Sequence, residues 1–196
     1  MNVEAILNSF AVFDLLVVFI LMAFFIAGFI QGTIRRLLGI ASILFWFLVA
    51  AQLRDPFGGY LAREWAQYPG SYSVMIGFGV VFVVGSLAST LAIQTFYSKV
   101  VLSERYEAVD DVIGGILGVF QGLIILAVMV VVLDSYFRTD SIGPFSSELP
   151  FLRNLFDAYD GSGTAALLRG TLIPLIFAIF GPLIPDTVRG VTTARA

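Results

Sequence analysis

Gly118-Val119-Phe120-Gln121-Gly122, inside an apolar run from about 112 to 133, nearly repeats Gly28-Phe29-Ile30-Gln31-Gly32, inside another from about 15 to 34. Glycines four apart share one face of a helix, and without side chains there a second backbone can come close. Gly114 extends the later set by one more turn. The spacing therefore predicts helix-packing positions at Gly28, Gly32, Gly114, Gly118 and Gly122. The first and fourth helices are expected to meet there as an antiparallel pair, within one chain or between two, with Gln31 and Gln121 as polar interhelical groups beside the contact.

Composition makes lipid the natural solvent for these runs. Of 196 residues, 59% are hydrophobic and 13% charged, with 19 phenylalanines and a mean hydropathy of +0.95; one small soluble core could not bury that much. Four segments reach the ~20 apolar residues a membrane-spanning helix needs: about 15 to 34, 37 to 53, 74 to 97 and 112 to 133. The first is read as a retained span, because Glu4 and Asp14 but no Lys or Arg precede it. Arg35 and Arg36 mark a tight first hairpin, and Arg54 to Tyr72, with Pro56, Pro69 and several glycines, reads as a loop.

These readings give an all-α polytopic integral membrane protein of four transmembrane helices. Residues 1–135 form the membrane domain and 136–196 an amphipathic C-terminal tail. Phe151, Leu152, Leu155, Phe156 and Tyr159 recur at helical spacing opposite Arg153, Asn154, Asp157 and Asp160, which predicts a short interfacial helix. The apolar run from Thr171 to Ile184 is below spanning length and reads as interfacial or re-entrant; a fifth span from Thr164 to Ile184 is the competing reading. Inner loops holding Arg35, Arg36, Lys99 and Arg105, against Arg54 and Arg63 outside, place both termini outside.

The chemistry-bearing residue types are few. There is no histidine and no cysteine, which removes the commonest transition-metal ligands, the Ser-His and Cys-His dyads and thiol redox chemistry. A net charge of -3 without a Lys/Arg cluster gives no support for nucleic-acid binding. An intramembrane aspartyl protease needs two facing carboxylates within the bilayer, yet Asp14, Asp110, Asp111 and Asp134 all fall at predicted span ends. Lys99, the lone lysine, lies at an interface where snorkelling accounts for it. No catalytic residue, metal site or cofactor is therefore expected. Asp14 and Asp110 read as helix-capping groups, and Arg35 and Arg36 as topology determinants. Trp65, Tyr97 and Tyr136 suit headgroup positions, while Trp46, mid-span, is expected against lipid or a partner.

Asp14 opening the first span, Gly28 and Gly32, Arg35 just beyond, then Asp110, Gly114, Gly118 and Gly122 entering the fourth span together resemble the bacterial colicin V production protein family, CvpA. The resemblance covers most of residues 12 to 133. It implies a small four-span protein of the bacterial inner (cytoplasmic) membrane, linked to production or export of a peptide toxin and to envelope maintenance. Where members of the family often carry Arg after the aspartate this sequence has Asp111, and where they often carry Arg or Lys before the second glycine it has Gln31 and Gln121. In some larger proteins similar modules anchor an external serine protease; the module alone is expected here. The expected role is a scaffold or accessory factor whose partners are the bilayer, further copies of itself or other membrane proteins. A small oligomeric transporter or channel subunit is the alternative, suggested by the repeated glycine pattern.

Overall fold

Gly32 makes the first corner. Its φ of 74° with ψ of 174° lies in a region that glycine alone occupies at low cost, and it is the single residue between α1 (Val12–Gln31) and α2 (Thr33–Glu64). The computed structural model describes residues 12–96, 107–138 and 148–188, and within them every regular element is helical. The others are α3 (Gly70–Phe96), α4 (Glu107–Phe137), α5 (Pro150–Asp160) and α6 (Gly163–Leu183). The sequence reading puts the corner at Arg35 and Arg36, but both belong to the first turns of α2. Backbone freedom at Gly32, rather than charge, decides where the chain turns. Glu4, Tyr97, Lys99 and Arg105 lie outside the described residues.

The expected loop from Arg54 to Tyr72 is mostly helix. A proline inside a helix costs ~3 kcal/mol, yet α2 runs through Pro56 and ends only where the Trp65 N–H meets the Leu61 carbonyl at 2.8 Å. Packing beyond the proline offsets that cost: Gly58 lies so close to α3 that a Cβ on it would sit 2.6 Å from the Val74 Cα.

Contacts between helices fix the register. Along α1 and α4, Gly28 faces Gly114, Phe24 faces Gly118 and Leu21 faces Gly122, an antiparallel pairing. Between α2 and α4, Thr33 bonds Asp110 and Gly39 lies on Gln121, a parallel pairing. Helix α3 runs antiparallel to both, with Arg35 bonded to Gln94, Trp46 to Ser89, and Tyr72 against Tyr136. One end of the bundle thus holds Gln31, Arg35, Arg36, Gln94 and Asp110. The opposite end holds Asp14, Gln52, Tyr72 and Asp134, and the tail folds over it.

Five helices are long and apolar enough to cross a membrane, α6 among them with 21 residues. Both ends of α6 are nevertheless tied to the same end of the bundle. Its first N–H groups, on Gly163 and Thr164, donate to the Asp14 carboxylate at 3.2 and 2.9 Å. At its far end the Leu183 carbonyl accepts from Gln52 Nε2 at 2.7 Å, and Thr187 bonds Asp55 at 3.3 Å. Asp14 and Gln52 each lie about 26 to 30 Å along their helices from the Gly32 corner, at 1.5 Å per residue. Helix α6, about 31 Å long by the same measure, therefore lies across the capped end, passing over α4. Its second turn widens to a π-helix at Leu168–Leu172, just ahead of Pro174, whose ring would crowd the carbonyl four residues earlier in a regular α-helix.

The remaining apolar surface points outward. Phe19 is 69% exposed, with Leu16, Val18 and Ile30 on α1 and Val84 and Leu91 on α3 also exposed, the surface of a protein whose solvent is hydrocarbon. The α5 helix forms where its spacing predicts, but its apolar face covers protein rather than lipid: Tyr159 is fully buried and Phe156 stacks on Phe137 at 5.0 Å. Phe151 stays 73% exposed, at the edge of the apolar face whose centre Leu152, Phe156 and Tyr159 pack inward.

Candidate functional site

Helix α1 leans on α4 and α2 on α3, whereas α1 and α3 hardly meet. The gap between them is a groove of about 630 Å³. Ile20, Phe24 and Ala27 of α1 form one wall and Phe82, Leu87 and Ile93 of α3 the other, over Ile43 and Ile125. Beyond Ile20 and Phe82, toward the capped end, Phe13, Val17 and Phe78 are buried in the core. The groove therefore stops partway along the bundle. From Ile20 to Gln31 it measures about 16 Å, half the ~30 Å hydrocarbon thickness of a bilayer.

Its polar end is made by Gln31, Arg35, Arg36, Gln94 and Gln121. Arg36 is 5% exposed; its Nη1 donates to Gln121 Oε1 at 2.7 Å, and its guanidinium lies 5.9 Å from the Phe24 ring centre. Arg35 Nη2 donates to the Gln94 carbonyl at 2.7 Å, in the last turn of α3, where a cation suits the helix dipole. The Nε atoms of both arginines are buried without a hydrogen-bond partner. Gln121, expected beside the α1–α4 contact, turns instead to α2, because Arg36 is the stronger partner.

The glycines sit at the closest approaches. A Cβ on Gly114 would be 2.6 Å from the Gly28 carbonyl oxygen and 2.9 Å from the Gly32 carbonyl carbon, and a Cβ on Gly118 would collide with the Phe24 carbonyl. Gly122 faces Leu21 and Phe24 side chains at 3.0 to 3.2 Å. The sequence reading missed a second seam between α2 and α3. There Gly58 meets Gly77, and Trp46 lies on Gly85 with its Nε1 donating to Ser89 at 2.6 Å, so Trp46 faces a neighbouring helix and not lipid. Isolated glycines carry little signal when no second glycine stands four residues away.

The two aspartates cap, but each caps a foreign helix. Asp110 Oδ1 accepts from the Thr33 N–H at 3.3 Å, at the start of α2. Asp14 accepts from Gly163 N and Thr164 N, with the Thr164 hydroxyl donating at 2.6 Å, at the start of α6. Unpaired N–H groups at a helix start attract any carboxylate that tertiary packing brings near, which local sequence cannot reveal.

One forked ion pair ties the tail to α4, and a second, inside the tail, is tied there by Tyr136. Arg169 grips Asp134 through Nε and Nη2 at 2.8 and 2.7 Å and reaches Asp160 at 2.8 Å. Arg153 grips Glu148 in the same way, and Tyr136 donates to Glu148 at 2.7 Å. Tyr159 donates to Asp134 at 2.8 Å; burial, then the neighbouring Asp134 charge, pushes its phenol far above the ordinary range, so it remains a donor. An aromatic ladder joins these knots, from Tyr72 through Tyr136, Phe137 and Phe156 to Tyr159, at ring separations of 5.0 to 5.4 Å. Among the described residues no cluster of metal-ligating side chains occurs.

Outward apolar faces, a helical bundle with glycine contacts and a sideways-opening groove define an all-α multi-pass membrane protein. Residues 13–154, more than two thirds of the chain, match the family described as colicin V production protein, and the chain belongs to that family. No curated protein and no solved structure matches the chain.

Proposed function

We propose that this protein is an accessory factor of the bacterial inner membrane that acts by binding rather than by a chemical step, serving toxin production or export and envelope maintenance. The observation that carries this reading is the groove between α1 and α3. It opens sideways and is lined no further toward the capped end than Ile20 and Phe82, beyond which Phe13, Val17 and Phe78 are buried, a shape that suits holding a membrane-embedded molecule better than conducting one through. Family membership supplies the link to toxin production. Its partners are then the bilayer and other membrane proteins or further copies of the chain. The direct test uses a colicin V-producing host that lacks its own family member. Expressing this chain there is expected to restore the zone of killing around colonies. Protein present in the membrane fraction with secretion still at the empty-vector level would reject the toxin role.

The topology that fits this reading has four spans, α1 to α4, with α6 across the outer end. The basic groove end, with Arg35 and Arg36, faces the cytoplasm, and both termini lie outside. A phosphatase fused after Ala196 should be active, and a fluorescent reporter that matures only in the cytosol should stay dark at the same position. Reporters placing the two termini on opposite sides would make α6 a fifth span.

A further inference from the structure

We propose that the α1–α3 groove is the seat of an anionic membrane lipid, its phosphate held by Arg35 and Arg36 and one acyl chain lying along the apolar walls. Charge complementarity carries the argument. Arg36 is 95% withdrawn from solvent, as its 5% exposure shows, and among the described residues no carboxylate lies within 4.0 Å of it or of Arg35. Both nevertheless bury an Nε–H with no acceptor. A buried donor left unmatched is costly, and a buried cation more so. Guanidinium groups bind phosphate oxygens through paired N–H groups, so a phosphate at this end supplies the counter-charge that no carboxylate provides there.

The remaining geometry selects a lipid over a soluble anion. Apart from the arginines and the three glutamines at the basic end, the groove is walled chiefly by aliphatic and aromatic side chains. Its length of about 16 Å from Gln31 to Ile20 matches one leaflet of the ~30 Å hydrocarbon core. Its volume of about 630 Å³ falls within the ~300–1,000 Å³ of small-molecule sites, room for a headgroup phosphate and one chain while the other stays in the bilayer. The open side between α1 and α3 lets a lipid enter from the membrane without passing through water. The seat deepens the binding reading above, yet does not depend on the toxin role: a chain that binds lipid but fails to restore secretion leaves it intact.

The test uses the full chain reconstituted in phosphatidylcholine bilayers with a trace of spin-labelled phosphatidylglycerol or spin-labelled phosphatidylcholine. The electron paramagnetic resonance spectrum reads the immobilised fraction. The wild type is expected to hold phosphatidylglycerol about tenfold better than phosphatidylcholine, which carries the same phosphate but brings a choline cation up against the two arginines. The paired change Arg35→Gln with Arg36→Gln should bring that ratio to one. Ala23→Phe, at an exposed groove position, should lower the immobilised fraction of both lipids while the arginines remain. Equal retention of the two lipids by the wild type overturns the proposal, as does a preference that survives the glutamine pair. Displacement of the lipid by inorganic phosphate would make the site one for aqueous anions and overturn the proposal. If the glutamine pair fails to insert, the wild-type ratio together with Ala23→Phe decides.

Discussion

Gly118→Ala is expected to destabilise the protein by about 3 kcal/mol, the upper range for overpacking, although it adds a single methyl group. In a helix the same change ordinarily stabilises by up to ~1 kcal/mol. At Gly118, however, the new Cβ would collide with the Phe24 carbonyl of α1 and approach the Gly28 Cα at 3.3 Å. Backbone atoms cannot rotate away, so α1 and α4 must separate along their length. Lipid fills such gaps poorly, and it does not restore the dispersion attraction that two backbones give up when they move apart. Three glycines grade the expectation. Gly59→Ala, with open space around it, should be neutral or stabilising. Gly39→Ala, facing the movable Gln121 amide at 3.0 Å, should cost less than Gly118→Ala. Unfolding in increasing detergent denaturant, followed by circular dichroism, gives the order; a Gly118 variant as stable as the Gly59 variant would remove the tight α1–α4 contact from the account.

Much of the bundle is written in the chain, and the reason is physical. A bilayer demands long apolar helices, so four of them stand out from composition alone, and paired glycines four apart announce where a backbone comes close. The misread parts are those where tertiary contact overrides local sequence. Pro56 looks like a breaker until Gly58 is found pressed on Val74. Arg35 and Arg36 look like a hairpin until the positive φ is found at Gly32. Residues 171–184 leave two readings open, interfacial or spanning, and only the bonds from Asp14 and Gln52 show that both ends of α6 meet one end of the bundle. The groove had no signature at all: its walls are ordinary apolar residues, and its polar end joins Gln31, Arg36 and Gln121, which come from three helices.

Asp134→Ala should cost about 3 kcal/mol and release the tail before the bundle unfolds. Breaking one side of a buried ion pair typically costs ~3–5 kcal/mol, because the surviving charge keeps its desolvation without its partner. Here Asp134 is 4% exposed and receives at least three bonds, two from Arg169 and one from Tyr159. Arg169 keeps Asp160, a carboxylate 43% exposed, which holds the expected loss to the lower end of that range. Tyr159→Phe removes one of those donors and should cost ~1 kcal/mol. The paired change Asp134→Leu with Arg169→Met should cost less than the two single changes added, since neither charge is then left unmatched. The readout is local: protease cutting near Gly161, between α5 and α6, should rise sharply in Asp134→Ala at denaturant levels where the α1–α4 contact persists. Single and paired changes that simply add, or cutting that appears only with global unfolding, would show that the Asp134–Arg169 fork does not hold the tail to the bundle.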